Sequence, residues 1–473
     1  MRAGSLHPRR VTGWLGWLAA VVVVAAGSIT AALAVTPLQT VSLAGQDIQV
    51  GATTPDLSLS GPGQISLFGQ SLPTTVTFSG PVRPKLQLSQ ITINSQLTTF
   101  VQGAKPSGAT RTLGNMLADG WLHYFLWETA IAGAIALVAA GALAGWRRTH
   151  RRTTLQLLAA GLLVTEAINV GAIMMTTYRA PAALRQIHSL NQLVGNDPVT
   201  TRIHPAGRAL PGVQAVVIGD STASGAGLPW VPHASLTDQA CGRSLDSYAS
   251  VLASANNWRL LNAACNSATI RHGLLRPQLQ GGRHVPPQID TLERAPHASV
   301  VIVSVGADDL NWSTMVEYCA AAARCDDKAT TAFFQQQLAA FSKDYLQLLS
   351  QLATLPGHPR VIINRYYNPF GPNSSCLSRV GLTPAKVSVL QARLATLNNV
   401  LAKGAQQFGF ASPLPDFAGH QLCSEQPYVQ GLGALAPFHP TALGQLAIAL
   451  ADQTVLQLAR APASAPAVTP PAG

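Results

Sequence analysis

Three stretches of the chain are apolar at nearly every position, residues 11–35, 121–146 and 155–175. Each is long enough to cross the ~30 Å hydrocarbon core of a bilayer, which takes ~20 residues of helix. Between the first two the pattern changes to period 2. The segments VSLAGQDIQV, DLSLSG, QISLFG, TVTFSG and KLQLSQITINS alternate apolar with polar residues, and Gly and Pro punctuate them. This predicts a small all-β domain over residues 36–120. Beyond residue 213 the pattern changes again. Short β-branched runs at VQAVVI, VVIVSV and RVIIN, with a shorter one at WRLL, alternate with helix-spaced stretches such as FFQQQLAAFSKDYLQLLSQLATL. Strands alternating with helices predict an α/β domain over residues 213–460, built on a parallel sheet covered by helices on both faces. Residues 179–212 read as a linker, and 461–473 as a disordered Pro/Ala-rich tail.

Composition agrees with the three spans. Only 11% of the 473 residues are charged, and the mean hydropathy is positive. The net charge of +11 suggests nucleic acid until the basic residues are located. Their only clusters, Arg2/Arg9/Arg10 and Arg147/Arg148/Arg151/Arg152, flank the apolar runs. They read as topology signals, and no nucleic-acid partner is expected. The basic N-terminus and the WRRTHRR loop then lie inside, while residues 36–120 and everything after about residue 178 lie outside. The first run fits an uncleaved anchor, residues 1–35, or a signal peptide, since AALA at residues 31–34 offers a small-x-small cleavage site. Residues 121–178 form a helical hairpin. Two carboxylates, Glu128 and Glu166, fall within its spans, Glu128 nearer the outer end. No chain of ionisable residues accompanies them, which favours pairing or protonation over a proton path.

All six cysteines, Cys241, Cys265, Cys319, Cys325, Cys376 and Cys423, lie in the region expected outside. An even count in one exocytoplasmic domain predicts three disulfides. Spacing alone leaves the pairing open.

Reactive groups in parallel sheets gather beyond the carboxyl ends of strands. Four loops qualify. GDS (residues 219–221) follows AVVI, NAACNSAT (262–269) follows WRLL, GADDLNW (306–312) follows VVIVSV, and FHPTALGQ (438–445) opens a helix. No Gly-Lys-Ser/Thr follows Gly219, and GAGLPW lacks the last glycine of a dinucleotide fingerprint. GDSTA also departs from the G-x-S-x-G nucleophile elbow.

Taken together, the four blocks resemble those of the SGNH (GDSL) hydrolases, over about residues 213–455. GDSTASGAG resembles the first block, NAACNSAT the second, GADDL the third and HPTALGQ the last. The cysteines and FHPT are most similar to secreted actinobacterial lipases and esterases. The resemblance implies a three-layer α/β/α sandwich with a five-stranded parallel sheet, sequential disulfides (Cys241–Cys265, Cys319–Cys325, Cys376–Cys423), and no metal or organic cofactor. It makes Ser221 the nucleophile and His439 the general base, with Ser221, Ser267 and Asp308 around the oxyanion. Three positions depart from the family pattern. Ser267 stands for a glycine and Asp308 for an asparagine. Ala436 stands for the aspartate that usually orients the histidine, which leaves a backbone carbonyl of Ala436 or Pro437 to do so. An ionised Asp308 cannot donate to an oxyanion, whereas burial beside Asp309 can keep one carboxyl protonated. Of the other histidines, His420 is a decoy near Cys423, and His358 caps the start of a strand.

The sequence therefore predicts a multi-pass membrane protein whose extracellular serine esterase acts on acylated lipids or glycans of the envelope, with the bilayer as partner. Acyl transfer to a polysaccharide is a neighbouring chemistry, but three spans offer no evident channel for an acyl donor. A non-catalytic envelope-binding or scaffold protein is the alternative, motivated by Asp308 and Ala436.

Overall fold

The computed structural model describes residues 8–43, 46–56, 58, 60–90, 109–146, 151–174 and 209–458. Most of the expected linker and the whole 461–473 tail lie outside these residues, as does the centre of the basic loop. The chain divides into two compact units, residues 1–67 with 71–197, and 198–473 with 68–70.

The first unit combines helices with a sheet. Helix α1 (Pro8–Val35) leads into strands β1 (Gln39–Leu43), β2 (Gln46–Ala52), β3 (Ser60–Leu67), β4 (Gln70–Ser79) and β5 (Pro84–Gln90). They form one sheet in the order β1-β2-β5-β3-β4, with β1/β2 and β2/β5 antiparallel and β3/β5 parallel. Helices α2 (Ala109–Trp146) and α3 (Arg151–Met174) follow and pack on each other and on α1. The stretches Trp17–Val35, Met116–Trp146 and Arg152–Gly171 are long and apolar enough to span a bilayer.

Helix α2 begins well before residue 121, inside the range that alternation and hydropathy assign to the β domain. The reason is packing. Trp121 is fully buried and its indole N–H donates to the Gly51 carbonyl at 3.0 Å. Gly120 leaves its Cβ space to the Val41 side chain. Hydropathy marks where the apolar run begins, whereas the helix starts where the sheet needs a cover. Glu128, nearer the outer end of its apolar run, is buried, with 1% exposure.

The second unit is the α/β domain. Strands β6 (Ala215–Gly219), β7 (Leu260–Asn262), β10 (Val300–Ser304) and β11 (Arg360–Ile363) form a parallel sheet in the order β11-β10-β6-β7. The central pair, AVVIG and VVIVS, is buried at every position, as strands covered on both faces must be. A small antiparallel ribbon of β8 (Gln278–Gln280) and β9 (Arg283–Val285) lies outside it. Helices α6 (Tyr248–Asn256) and α11 (Ala442–Leu458) pack together, as do α9 (Lys328–Ala353) and α10 (Pro384–Gln407). These pairs form the outer layers of a three-layer α/β/α sandwich. Short helices α4 (Ser221–Ser224), α5 (Leu236–Cys241), α7 (Ile289–Arg294) and α8 (Trp312–Ala321) fill the connections.

Four strands are regular where the resemblance implies five. Beside β11 the fifth position is a parallel bridge, Ile362 to Ala411, with Ile363 N–H donating to Ala411 O at 2.8 Å and Arg365 N–H to Pro413 O at 3.1 Å. Pro413 and Pro415 lack the N–H groups that would extend this ladder. The three disulfides join Cys241 to Cys265, Cys319 to Cys325 and Cys376 to Cys423.

Gly219 ends β6 with φ 153°, and a Cβ there would lie 2.2 Å from the Ser304 carbonyl oxygen of β10. Gly219→Ala should therefore push the two central strands apart. In an oxidised fragment of residues 200–473, denaturant unfolding should show a loss of at least about 2 kcal/mol. Unchanged stability would contradict this close approach.

Candidate active site

The first loop is built by the end of β6. Asp220 caps α4, its carboxylate accepting from Thr222 N–H at 2.9 Å. Ser221 is thereby the first residue of a four-residue helix, and Gly225 ends that helix with φ 83°. The turn is sharp, so the Ser221 side chain emerges beyond the carboxyl edge of the sheet. Gly219 is clamped by Gln288, whose amide accepts from its N–H at 2.7 Å and donates to its C=O at 2.9 Å.

His439 arrives from the far end of the chain. Its Nε2 lies 2.8 Å from Ser221 Oγ, and its Nδ1 lies 3.0 Å from the Pro437 carbonyl oxygen. With Nδ1–H donating to that carbonyl, Nε2 is left bare and faces the hydroxyl, an arrangement in which an imidazole can take a serine proton. Of the two carbonyls that the sequence offers, Pro437 is the one used; that of Ala436 accepts from His439 N–H. Burial pushes the imidazole below its ordinary pKa, and the backbone contacts at Pro437 and Ala436 offset part of that shift. The ring is thus neutral at neutral pH.

Both residues open on a cavity of about 520 Å³. Ser221, Ser267, Asp308 and His439 line it, together with apolar side chains that include Trp312, Val316, Leu394, Leu397 and Leu435. Ser267 has φ 60°, a left-handed conformation that explains a glycine in the family pattern and that serine adopts at a cost of about 1–2 kcal/mol. The loop before it is fixed by the Cys241–Cys265 disulfide and by Ser224 Oγ donating to Asn266 Oδ1 at 2.7 Å. Asp308 sits in the same cavity, and its Oδ2 is buried without a hydrogen-bond partner. Burial pushes its carboxyl above the ordinary range. Asp309 turns away, accepting from Ile270 N–H at 2.9 Å, and burial raises its pKa as well.

His420 and His358 stand apart from this cluster. His420 stacks on Tyr428 with its Nδ1 2.9 Å from the Gln426 carbonyl. His358 occupies a turn with φ 45° just before β11.

Four residues that hold the site were not found by motif reading. Gln445 accepts from Tyr248 N–H and donates to Thr222 O, each at 2.9 Å. Gln430 donates to Ala226 O at 2.7 Å and Pro440 O at 2.9 Å, tying the Ser221 loop to the His439 loop. Gln288 clamps Gly219 as above. Tyr366 accepts from Ala307 N–H at 3.0 Å and donates to Asp220 Oδ2. A glutamine in a loop carries no sequence signal of burial. Only Gln445, within the HPTALGQ block, was in view.

The sequence profile of the GDSL-like Lipase/Acylhydrolase family matches residues 217–447. Lipase 2 of Streptomyces coelicolor is 28% identical over 288 residues, covering 56% of this chain and 92% of that protein. A lipase of Streptomyces rimosus is 27% identical over 246 residues, covering 50% and 84% respectively. Among solved structures, the extracellular lipase from Streptomyces rimosus aligns at 24% identity with a TM-score of 0.40, over 52% of this chain and 99% of that one. Phospholipase A1 from Streptomyces albidoflavus NA297 aligns at 22% identity with a TM-score of 0.39, over the same shares. Residues 217–447 thus belong to the GDSL-like lipase/acylhydrolase family, and the chain carrying them is a serine hydrolase of ester bonds.

Proposed function

We propose that the chain is a membrane-anchored, outward-facing esterase that removes O-acyl groups from envelope lipids or glycans through an acyl-serine intermediate. The observation that carries this reading is the 2.8 Å contact of Ser221 Oγ with His439 Nε2, both of which line one cavity. His439 takes the Ser221 proton as Oγ attacks the acyl carbon. The carbonyl oxygen becomes an oxyanion facing the Ser221 and Ser267 backbone N–H groups and the Asp308 carboxyl. On collapse, the bond to the leaving alcohol breaks and His439 gives its proton to that oxygen. Water then repeats the sequence on the acyl-serine and releases the acid.

The base is oriented by a carbonyl dipole in place of a carboxylate. It therefore lacks a full negative charge to stabilise the imidazolium that forms in the transition state. Fixation by Pro437 retains the other part of that role, the choice of tautomer. A scaffold with a degenerate site would have no use for an imidazole aimed at a serine hydroxyl.

The anchoring half of the proposal rests on the three apolar helices and on the basic residues that flank them. Disulfides confined to the α/β domain support an outward location. A tether holds the hydrolase near acylated molecules of that surface at high effective concentration.

Two experiments test this. Ser221→Ala in the full chain should lower hydrolysis of a short-chain p-nitrophenyl ester by at least about 10³-fold; equal rates for variant and wild type would sink the nucleophile assignment. On intact cells, a membrane-impermeant maleimide should label a Gln64→Cys chain and leave a Thr149→Cys chain unlabelled. The reverse pattern would contradict the topology.

A further inference from the structure

Two acidic residues stand beside the serine–histidine pair: Asp220 precedes the serine, and Asp308 lines the same cavity. Asp220 is fully buried. Its Oδ1 accepts from Thr222 N–H, and its Oδ2 from the Tyr366 hydroxyl. Asp308, next along the chain from the Ala307 that donates to Tyr366, receives no hydrogen bond to its buried Oδ2. The groups that surround Asp308 are acids or neutral. Asp220 and Asp309 are near enough to interact with it electrostatically, while Glu317, Tyr366, Tyr367 and His439 line the same cavity. No lysine or arginine is among the cavity's lining residues. Asp344, which interacts with Asp309, is committed to a 2.7 Å ion pair with Arg271.

Two adjacent buried carboxyls without a cation cannot both ionise, and such pairs titrate as a unit. The hydrogen bonds decide where the proton sits. Asp220 has two donors aimed at its two oxygens, which suits a carboxylate. Asp308 and Asp309 each have an orphaned buried oxygen, which suits a neutral acid, and of the two only Asp308 lines the cavity. We propose that Asp308 and Asp220 hold one proton between them, resident on Asp308, and that the Asp308 O–H donates to the oxyanion formed at Ser221. Tyr366 is the positioning residue: it fixes the negative charge on Asp220. The site then works on the acid side of neutrality, because raising the pH removes the shared proton and leaves a carboxylate facing the oxyanion. His439 sets the opposite limb, since it must be neutral to act as base.

Burial raises the carboxyl pair and lowers His439. The direction of each shift moves the two limbs toward one another.

The inference rests on the esterase reading, and the test separates the two. With the full chain in detergent, kcat/KM for a p-nitrophenyl ester is followed from about pH 5 to about pH 8.5, with Ser221→Ala as the blank. Wild type should lose at least about tenfold activity across the upper half of this range, one lost oxyanion donor being worth ~10²–10³-fold. Asp308→Asn supplies an N–H donor at every pH, so its activity should stay level there and exceed wild type at the alkaline end. Tyr366→Phe withdraws a donor from Asp220, moves the proton toward it, and should shift the falling limb to lower pH. Circular dichroism checks that this variant folds, and Asp308→Asn alone decides the matter if it does not. Serine-dependent activity with the same falling limb in Asp308→Asn, or a wild type that does not decline, would overturn the shared proton alone. Hydrolysis independent of Ser221 would overturn the esterase reading beneath it.

Discussion

A hydrogen bond of 2.8 Å between side chains 218 residues apart is the constraint on which the α/β domain is organised. Neither residue can be placed by its own loop. Ser221 is aimed by a four-residue helix whose cap and first turn need Asp220 and Gly225, and whose strand must end in a residue that tolerates φ 153° against the neighbouring carbonyl. His439 is carried on a loop that contains Phe438 at φ 67°. That loop is held by Tyr367 donating to Phe438 O at 2.8 Å and by backbone bonds to Gln430. Gln430 and Gln445 then tie the two loops directly. Each amide satisfies groups from distant segments in a dry interior, where an unmatched donor or acceptor costs about 1–3 kcal/mol. Such fixed partners leave the hydroxyl and imidazole little freedom to drift apart.

The same dry interior changes the meaning of its acids. A carboxyl that would be an ordinary anion at the surface is driven toward its neutral form by burial, and Asp308 is surrounded by groups that strengthen that tendency. An asparagine and a protonated aspartic acid present the same kind of donor to an oxyanion, but only the acid can lose it. The substitution at this position thus adds a titration to a site that otherwise needs only one, that of His439. The orientation of His439 by Pro437 fits this economy, since no further charge is brought to the base.

Much of this was legible in the sequence. The β-branched runs ending in Gly219 and Ser304 read as buried parallel strands because they are apolar on both faces. The four loop blocks could be assigned to one rim because each follows a strand, or opens a helix, at a recognisable junction. The even cysteine count predicted three disulfides, and all six cysteines are paired. What the sequence concealed has physical reasons. The start of α2 at Ala109 depends on Trp121 and Gly120 packing against the sheet, which hydropathy does not register. The rudimentary fifth strand follows from two prolines in a short segment. The roles of Gln288, Gln430 and Tyr366 arise from contacts of high sequence separation, and nothing local distinguishes them from surface residues. The choice between Ala436 and Pro437 required the ring's orientation.

The most direct test of the central pair is covalent capture of the hydroxyl. A fluorophosphonate reacts with a serine whose proton is removed by a neighbouring base, losing fluoride and leaving a phosphonyl ester that peptide mass spectrometry can locate. The account expects one adduct in the folded chain, on Ser221, strongly diminished in His439→Ala. An adduct on another residue, or labelling of Ser221 that is indifferent to His439, would contradict it.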